Sequence, residues 1–341
     1  MKRGSVLITG GAGYIGSHVV LACRAASYPV VVIDNLSTGY RDAVPEDVSF
    51  YQGDVGDPDI LSKAFKSHAV TAVIHLAGMV VVPESVAAPL KYYLGNTCKS
   101  RTLWQTCVDH GVRNVVFSST AAVYGRPEAI PVTEDAPTRP ESPYGTSKLM
   151  VEWMLRDAQR AHGLRYVILR YFNVAGADHL GRAGQSTAGA THLIKVACEV
   201  AVGKRPEMAI FGDDYDTSDG TCVRDFIHVS DLAEAHVRAL QHLESGGGCL
   251  TMNCGYGHGY SVREVLDAVQ RLAGRPLSVR RAPRRPGDVA ALIAEVSRLR
   301  ETFGWTPTHD NLDDILQTAL DWESRRSRPE GQLHAAQAGS S

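Results

Sequence analysis

The chain has 341 residues, 44% hydrophobic and 21% charged, with 35 basic against 37 acidic side chains and a formal net charge of −2. This length buries a sizeable core without metal or disulfide staples, and the near-neutral balance excludes the basic footprint of a nucleic-acid-binding protein. No apolar run approaches the ~20 residues of a membrane span, and the one after the basic start is too short for a secretory signal. No membrane or nucleic-acid partner and a cytoplasmic location are therefore expected. The seven cysteines include no Cys-x-x-Cys pair, so neither a disulfide framework nor a metal site is predicted.

Short β-branched runs alternate with helical patterns along the first half of the chain. Strands are predicted over 6–9, 30–33, 48–52, 72–76, 115–118 and 166–170, and helices over 13–26, 57–66, 90–110 and 143–162. Continuous apolar strands separated by helices imply an α/β fold with a doubly wound, Rossmann-like parallel sheet. Beyond Asn173 the pattern loosens into a Gly/Ala/Ser/Thr-rich loop (176–190), a helical stretch (192–202) and a turn-rich segment (211–220). The expected division is a sheet domain over 1–175 with return segments near 225–243, a smaller mixed α/β portion over 176–324, and an unstructured tail over 325–341.

Gly10, Gly13 and Gly16 fall in a Gly-x-x-Gly-x-x-Gly turn between the first strand and the first helix. The first glycine permits a tight turn, the second lets backbone approach a pyrophosphate, and the third allows close helix–strand contact. The helix start then offers free N–H groups and a positive dipole end to phosphates. The second strand runs into Asp34, placed to accept from an adenosine ribose 2′-hydroxyl and to repel a 2′-phosphate, which points to NAD and away from NADP. Asp54, past the third strand, is placed to meet the adenine, with turn chemistry as the alternative reading.

Tyr144 and Lys148 stand four residues apart on a predicted helix and so share a face. A free phenol, with a pKa of ~10, is a poor base at neutral pH, and lowering it by about 3 units takes roughly 4 kcal/mol from nearby positive charge. Ser118, Ser119 and Thr120 end a strand of the same sheet at its carboxyl edge, where ligands bind. A hydroxyl, a phenol and an ammonium form a donor–base–cation set for moving hydride and proton at an alcohol or ketone carbon.

These motifs resemble the extended short-chain dehydrogenase/reductase superfamily and, within it, the UDP-glucose (UDP-galactose) 4-epimerases. The similarity runs nearly unbroken from Val6 to Trp322 and is carried by residues 9–18, 34–36, 75–78, 92–96, 117–125, 142–152, 169–176, 209–211, 220–231 and 282–288. It implies a tightly held NAD contacted by Gly10, Gly13, Tyr14, Ile15, Gly16, Asp34, Asn35, Leu36, Asp54, Val55, Leu76, Ala77, Gly78, Asn96, Tyr144, Lys148 and Phe172. It implies a UDP-sugar contacted by Thr120, Tyr144, Asn173, His192, Leu193, Ala209, Phe211, Arg224, Arg285, Asp288 and Leu292, with Thr120, Tyr144 and Lys148 catalytic. The portion over 176–324 then becomes the sugar-nucleotide side, and the helices over 90–110 and 143–162 become the interface of a homodimer.

Sister dehydratases and decarboxylases of that superfamily place acids after the strand-end threonine, where this chain has Ala121 and Ala122. A methyl group cannot shuttle a proton, so the expected outcome at a 4-keto sugar is hydride return to the opposite face. The chain departs from the family pattern at three positions. Thr120 replaces a common serine, Val80 stands where some members have a lysine, and Leu292 stands where members carry a tyrosine or a small residue. Leucine is smaller than tyrosine, which keeps a UDP-N-acetylglucosamine 4-epimerase open as the alternative. A nucleotide-sugar dehydrogenase and a non-catalytic sugar-nucleotide binder are the readings of other classes.

Overall fold

The chain opens with β1 (Ser5–Thr9), α1 (Tyr14–Ala25) and β2 (Val30–Asp34). β2 reads Val-Val-Val-Ile-Asp and is buried along its whole length, as a strand covered on both faces must be. There follow β3 (Ser49–Gln52), α2 (Pro58–Ser67), β4 (Val70–His75), α3 (Val82–Ala87), α4 (Pro89–Tyr92), α5 (Lys99–Asp109) and β5 (Asn114–Thr120). α6 (Pro143–His162) crosses to β6 (Arg165–Tyr171), and β7 (Asn173–Ala175), α7 (Leu193–Ala201), β8 (Met208–Phe211), β9 (Val223–Arg224) and β10 (Phe226–His228) come next. The described chain ends with α8 (Val229–Glu244), β11 (Leu250–Cys254), β12 (Tyr260–Ser261), α9 (Val262–Ala273), β13 (Val279–Ala282), β14 (Ala291–Leu292), α10 (Ser297–Phe303) and α11 (Leu312–Arg325). This is a computed structural model, and it describes residues 3–285 and 287–327.

Seven strands form one parallel sheet in the order β11-β6-β5-β4-β1-β2-β3. Alternate residues of each strand enter opposite layers. Val6 and Ile8 join Val19 and Val20 of α1 and Leu232 of α8, while Leu7 joins Leu61 of α2, Leu103 of α5 and Leu155 of α6. The chain winds from β1 out to β3, then returns to place β4 on the other flank of β1. The carboxyl ends of β1 and β4 therefore bound the switch-point crevice where doubly wound sheets take ligands. The C-terminal half adds small sheets, β12-β9-β14, β13-β8 and β10-β7.

Three sequence expectations change. The helix expected over 90–110 is interrupted by a π-helical segment (Tyr93–Cys98) between α4 and α5, a widened turn of a kind often found at functional sites. The seventh sheet strand, β11, lies beyond the predicted return segment, because it pairs with β6 far upstream. The expected tail begins inside structure: Arg325 closes α11, and residues 328–341 lie outside the described residues.

Candidate active site

Gly10 follows β1 with φ +72°, and a Cβ there would meet the Ala77 backbone nitrogen at 2.6 Å. A Cβ on Gly16 would meet the Gly10 carbonyl oxygen at 2.0 Å, so α1 seats against the turn because residue 16 is glycine. A Cβ on Gly13 would meet only Gly10 O, at 3.3 Å. Gly13 is the N-cap of α1, with no side-chain cap and no acid in the first turn. The helix start thus keeps its N–H groups and positive dipole end for an anion, which fits a dinucleotide pyrophosphate.

Asp34 accepts from the Ala12 N–H at 2.9 Å and the Leu36 N–H at 2.8 Å, tying the end of β2 to the glycine turn. Leu36 holds φ +58°, rare for a non-glycine residue, as the chain turns back after β2. Asn35 donates to Asp54 Oδ2 at 3.3 Å. Burial opposes the charge on Asp54, but Lys99, which pairs with it, and the Gly56 N–H hold its carboxyl below the ordinary value. Ile15 and Leu76 pack into one apolar layer, Val55 and Ala77 into the other, and the Tyr14 hydroxyl donates to Gly176 O at 2.7 Å.

Ser142 caps α6 by accepting from the Gly145 N–H at 3.2 Å. A Cβ on Gly145 would lie 2.6 Å from Ala122 O. Glycine there lets the start of α6 settle on the turn after β5 and brings Tyr144 to Thr120. Thr120 Oγ1 accepts from the Ala122 N–H at 3.1 Å. Burial pushes the Tyr144 phenol above its ordinary value, and the Thr120 hydroxyl partly offsets this. That direction is opposite to the one expected from the Tyr–Lys spacing. The physical reason is that burial of the phenol itself outweighs the neighbouring groups. Lys148 is buried as well, at 3% exposure, and burial pushes its ammonium down to about 8. Its Nζ donates to Ser118 O at 2.9 Å.

Gly78 lies against the same lysine, with room for no more than a tight Cβ, 3.1 Å from Asn96 Oδ1 and 3.3 Å from Lys148 Nζ. Asn96, in the π-helical segment, accepts from the Met79 N–H at 2.7 Å and donates to Met79 O and to Ser147 Oγ, both at 3.0 Å. Its amide fastens the loop after β4 to α6. Val80 is half exposed just beyond that loop.

Sequence reasoning missed the buried frame below these groups. Ser119 Oγ donates to Glu152 Oε1 at 2.6 Å, and Arg170 forks onto both Glu152 oxygens at 3.0 and 2.7 Å. Arg170 also donates to the Tyr124 hydroxyl at 2.9 Å, which donates to Asn253 at 2.6 Å. The only sign of this in the sequence is an arginine inside an apolar strand.

On the C-terminal side the expected substrate residues fall into three groups. The Arg285 guanidinium stands 3.9 Å over the Phe211 ring, and Asp288 lies 3.9 Å from Arg285 and 3.7 Å from Arg224. Arg280, Arg281 and Arg284, in contrast, pair with Glu207, Asp213 and Asp214. Ala209 sits in β8 in register with Arg280. Asn173 donates from its backbone to Asp225 O at 3.0 Å, while Leu292 O accepts from the Asp225 N–H at 3.2 Å. Leu292 and Phe172 share one apolar cluster with Ala121. His192 stands at the N-terminal boundary of α7 without capping it and meets Gln185 at 2.8 Å, away from the arginine group in its contacts, and Leu193 packs on the core.

Residues 6–255 match the model of the NAD dependent epimerase/dehydratase family. A UDP-glucose 4-epimerase of Azospirillum brasilense is 58% identical over 330 residues, 97% of this chain and 95% of its own length. One from Halalkalibacterium halodurans is 45% identical, over 96% of this chain and 97% of its own. Among solved structures, UDP-glucose 4-epimerase from Brucella ovis in complex with NAD has a TM-score of 0.92 at 43% identity, covering 94% of this chain and 99% of that one. The Bifidobacterium longum enzyme in complex with NAD+ and UDP has a TM-score of 0.90 at 39% identity, covering 95% and 99%.

Proposed function

The chain belongs to the NAD dependent epimerase/dehydratase family, and from that premise we propose that it inverts C4 of a UDP-hexose, interconverting UDP-glucose and UDP-galactose. The observation that carries this reading is the meeting of Thr120, Tyr144 and Lys148 at the carboxyl end of β5, followed by Ala121 and Ala122. Gly10, Gly13, Gly16, Asp34 and Gly78 line the path for NAD. When bound, NAD supplies the hydride acceptor and donor and, in its oxidised form, a positive charge beside the phenol.

Tyr144 takes the proton of the C4 hydroxyl and later returns it. Thr120 orients that hydroxyl and the phenol. Lys148, held on Ser118, keeps positive charge near both and favours the phenolate. Ala121 and Ala122 offer no group to draw a proton from C5, so a 4-keto sugar formed here can only be reduced again. Arg224 and Arg285 suit a diphosphate through charge-assisted, forked hydrogen bonds, with Phe211 against the uracil.

Residues 1–175, joined by α8 and β11, serve the cofactor, and residues 176–324 serve mainly the sugar nucleotide. The protein forms a homodimer: Val86, Leu90 and Leu94 are exposed on elements that pack against α6, and α6 itself exposes Trp153, apolar side chains that a second copy would cover. Seven unpaired cysteines suit the cytoplasm, and among the described residues no helix is long and apolar enough to cross a membrane. Coupled assays with UDP-glucose, UDP-galactose and their N-acetyl forms test the substrate. Turnover of the plain hexoses supports the proposal, and turnover of the N-acetyl forms alone would replace it with the alternative that Leu292 left open.

A further inference from the structure

His179, His309 and Asp314 take no part in the site above, yet they converge. Nε2 of His179 lies 3.1 Å from Nδ1 of His309, which lies 2.7 Å from Oδ2 of Asp314; Oδ1 of Asp314 is 3.9 Å from His179 Nε2. One ligand atom from each residue falls within 4.8 Å of the others. The two rings stack at 4.5 Å, and His228 backs both of them at 5.5 and 4.4 Å. His228 is not a ligand, since its Nδ1 accepts from the Ser230 N–H at 3.1 Å and its Nε2 meets Thr318 Oγ1 at 3.0 Å.

Within the protein, no placement of the single ring proton gives all three atoms a full hydrogen bond, and the rest is left to water. Nδ1 of His309 carries at most one hydrogen, but it faces both a nitrogen and a carboxylate oxygen at hydrogen-bond distance. If it donates to Asp314, it has no lone pair for His179. If it accepts from His179, its lone pair is already used and Asp314 is left without a donor there. A cation shared by the three atoms satisfies all of them at once. Two nitrogens bound to one tetrahedral zinc are about 3.3 Å apart, close to the 3.1 Å between these two nitrogens.

The ligands are also held in place independently of one another. The His309 N–H donates to the buried Asp231 at 2.9 Å, and Asp314 sits in the first turn of α11, where Asn311 accepts from its N–H at 3.3 Å. We propose that His179, His309 and Asp314 form a site for a late first-row divalent cation of the zinc class, with water completing the coordination. The ion fastens α11 to the segment after β7, in which Gly176 O accepts from Tyr14 at the start of α1. No short motif announces the site, because the two histidines are 130 residues apart.

The test uses the untagged full chain, stripped with a chelator and titrated with Zn2+ by calorimetry and with Co2+ by visible absorption. One ion per chain, a ligand-field band with Co2+ and a rise of a few °C in the unfolding midpoint with Zn2+ are expected. His179→Ala and Asp314→Asn should each weaken binding at least tenfold and abolish the midpoint rise, while UDP-galactose turnover stays within about twofold as the control for folding. Absence of stoichiometric uptake by the parent chain, or uptake unchanged in both folded variants, would overturn the site. Should a variant not fold, the Co2+ spectrum of the parent decides, since surface histidines acting singly give no tetrahedral band.

Discussion

The ammonium of Lys148 donates to the carbonyl oxygen of Ser118 at 2.9 Å, which anchors the cation of the site to the end of β5. Burial there brings its pKa down to about 8, so activity and stability should respond oppositely to alkali. Below about pH 8 the folded protein carries a buried charge that an unfolded lysine, with pKa ~10.4, carries in water. This penalty, of about 3 kcal/mol, is relieved as pH rises from 8 towards 10. Over the same range the phenol loses its neighbouring cation. The contribution of Lys148 to the unfolding free energy should therefore rise by about 2–3 kcal/mol while kcat/KM falls, and Lys148→Met should be nearly inactive with no alkaline limb in this range.

Tyr144→Phe removes the proton acceptor and leaves the ring. Loss of kcat by about 10³-fold is expected, within the usual range for a positioned acid–base group, with NAD still bound in the purified protein. Thr120→Ser keeps the hydroxyl and should stay within a few-fold of the parent, whereas Thr120→Val should lose at least tenfold. Steady-state rates together with the absorbance of bound cofactor check all three.

Gly13 and Gly16 separate cofactor approach from folding. Gly16→Ala forces a Cβ to 2.0 Å from Gly10 O, which neither backbone can relieve; a loss of several kcal/mol in unfolding free energy follows. Gly13→Ala meets Gly10 O at 3.3 Å and should cost about 1 kcal/mol or less, yet its methyl intrudes where the pyrophosphate must approach. Denaturant titration and NAD content should thus diverge between the two variants.

The Glu152–Arg170 pair is fully buried, at 0% and 1% exposure, and reaches Ser119 through one hydrogen bond. Arg170→Leu leaves the buried carboxylate with only Ser119 and, at 3.3 Å, the half-exposed Arg156, and should destabilise by about 2–4 kcal/mol, while adding Glu152→Leu should recover part of the loss. A double-mutant cycle by chemical denaturation measures the coupling.

Leu94, 59% exposed, reports on assembly. Leu94→Glu places a charge at this apolar position, so sedimentation should shift from dimer towards monomer. A parent chain that sediments as a monomer at micromolar concentration would remove the homodimer from the account.

The sheet and the glycine turn were legible because their signals are local. Five consecutive buried residues in β2 and three glycines at fixed spacing need no knowledge of distant partners. The placement of Tyr144 and Lys148 one turn apart in α6 was legible for the same reason. What escaped the sequence depends on long-range pairing. Lys99 meets Asp54 across 45 residues, Arg170 meets Glu152 from a different element, and His179 meets His309 across 130. The π-helical turn at Asn96 answers to the loop after β4, which helical periodicity does not contain. The upward shift of the phenol escaped for another reason: spacing reports neighbours, whereas desolvation reports everything that covers a group.

In the proposed reaction hydride leaves C4 and comes back to it. The most direct measurement gives UDP-galactose to the purified chain with no NAD added and follows UDP-glucose formation together with absorbance at the NADH band. Many turnovers per chain with no net accumulation of NADH are predicted. Turnover that needs added NAD in proportion to product, with NADH accumulating in step, would contradict it.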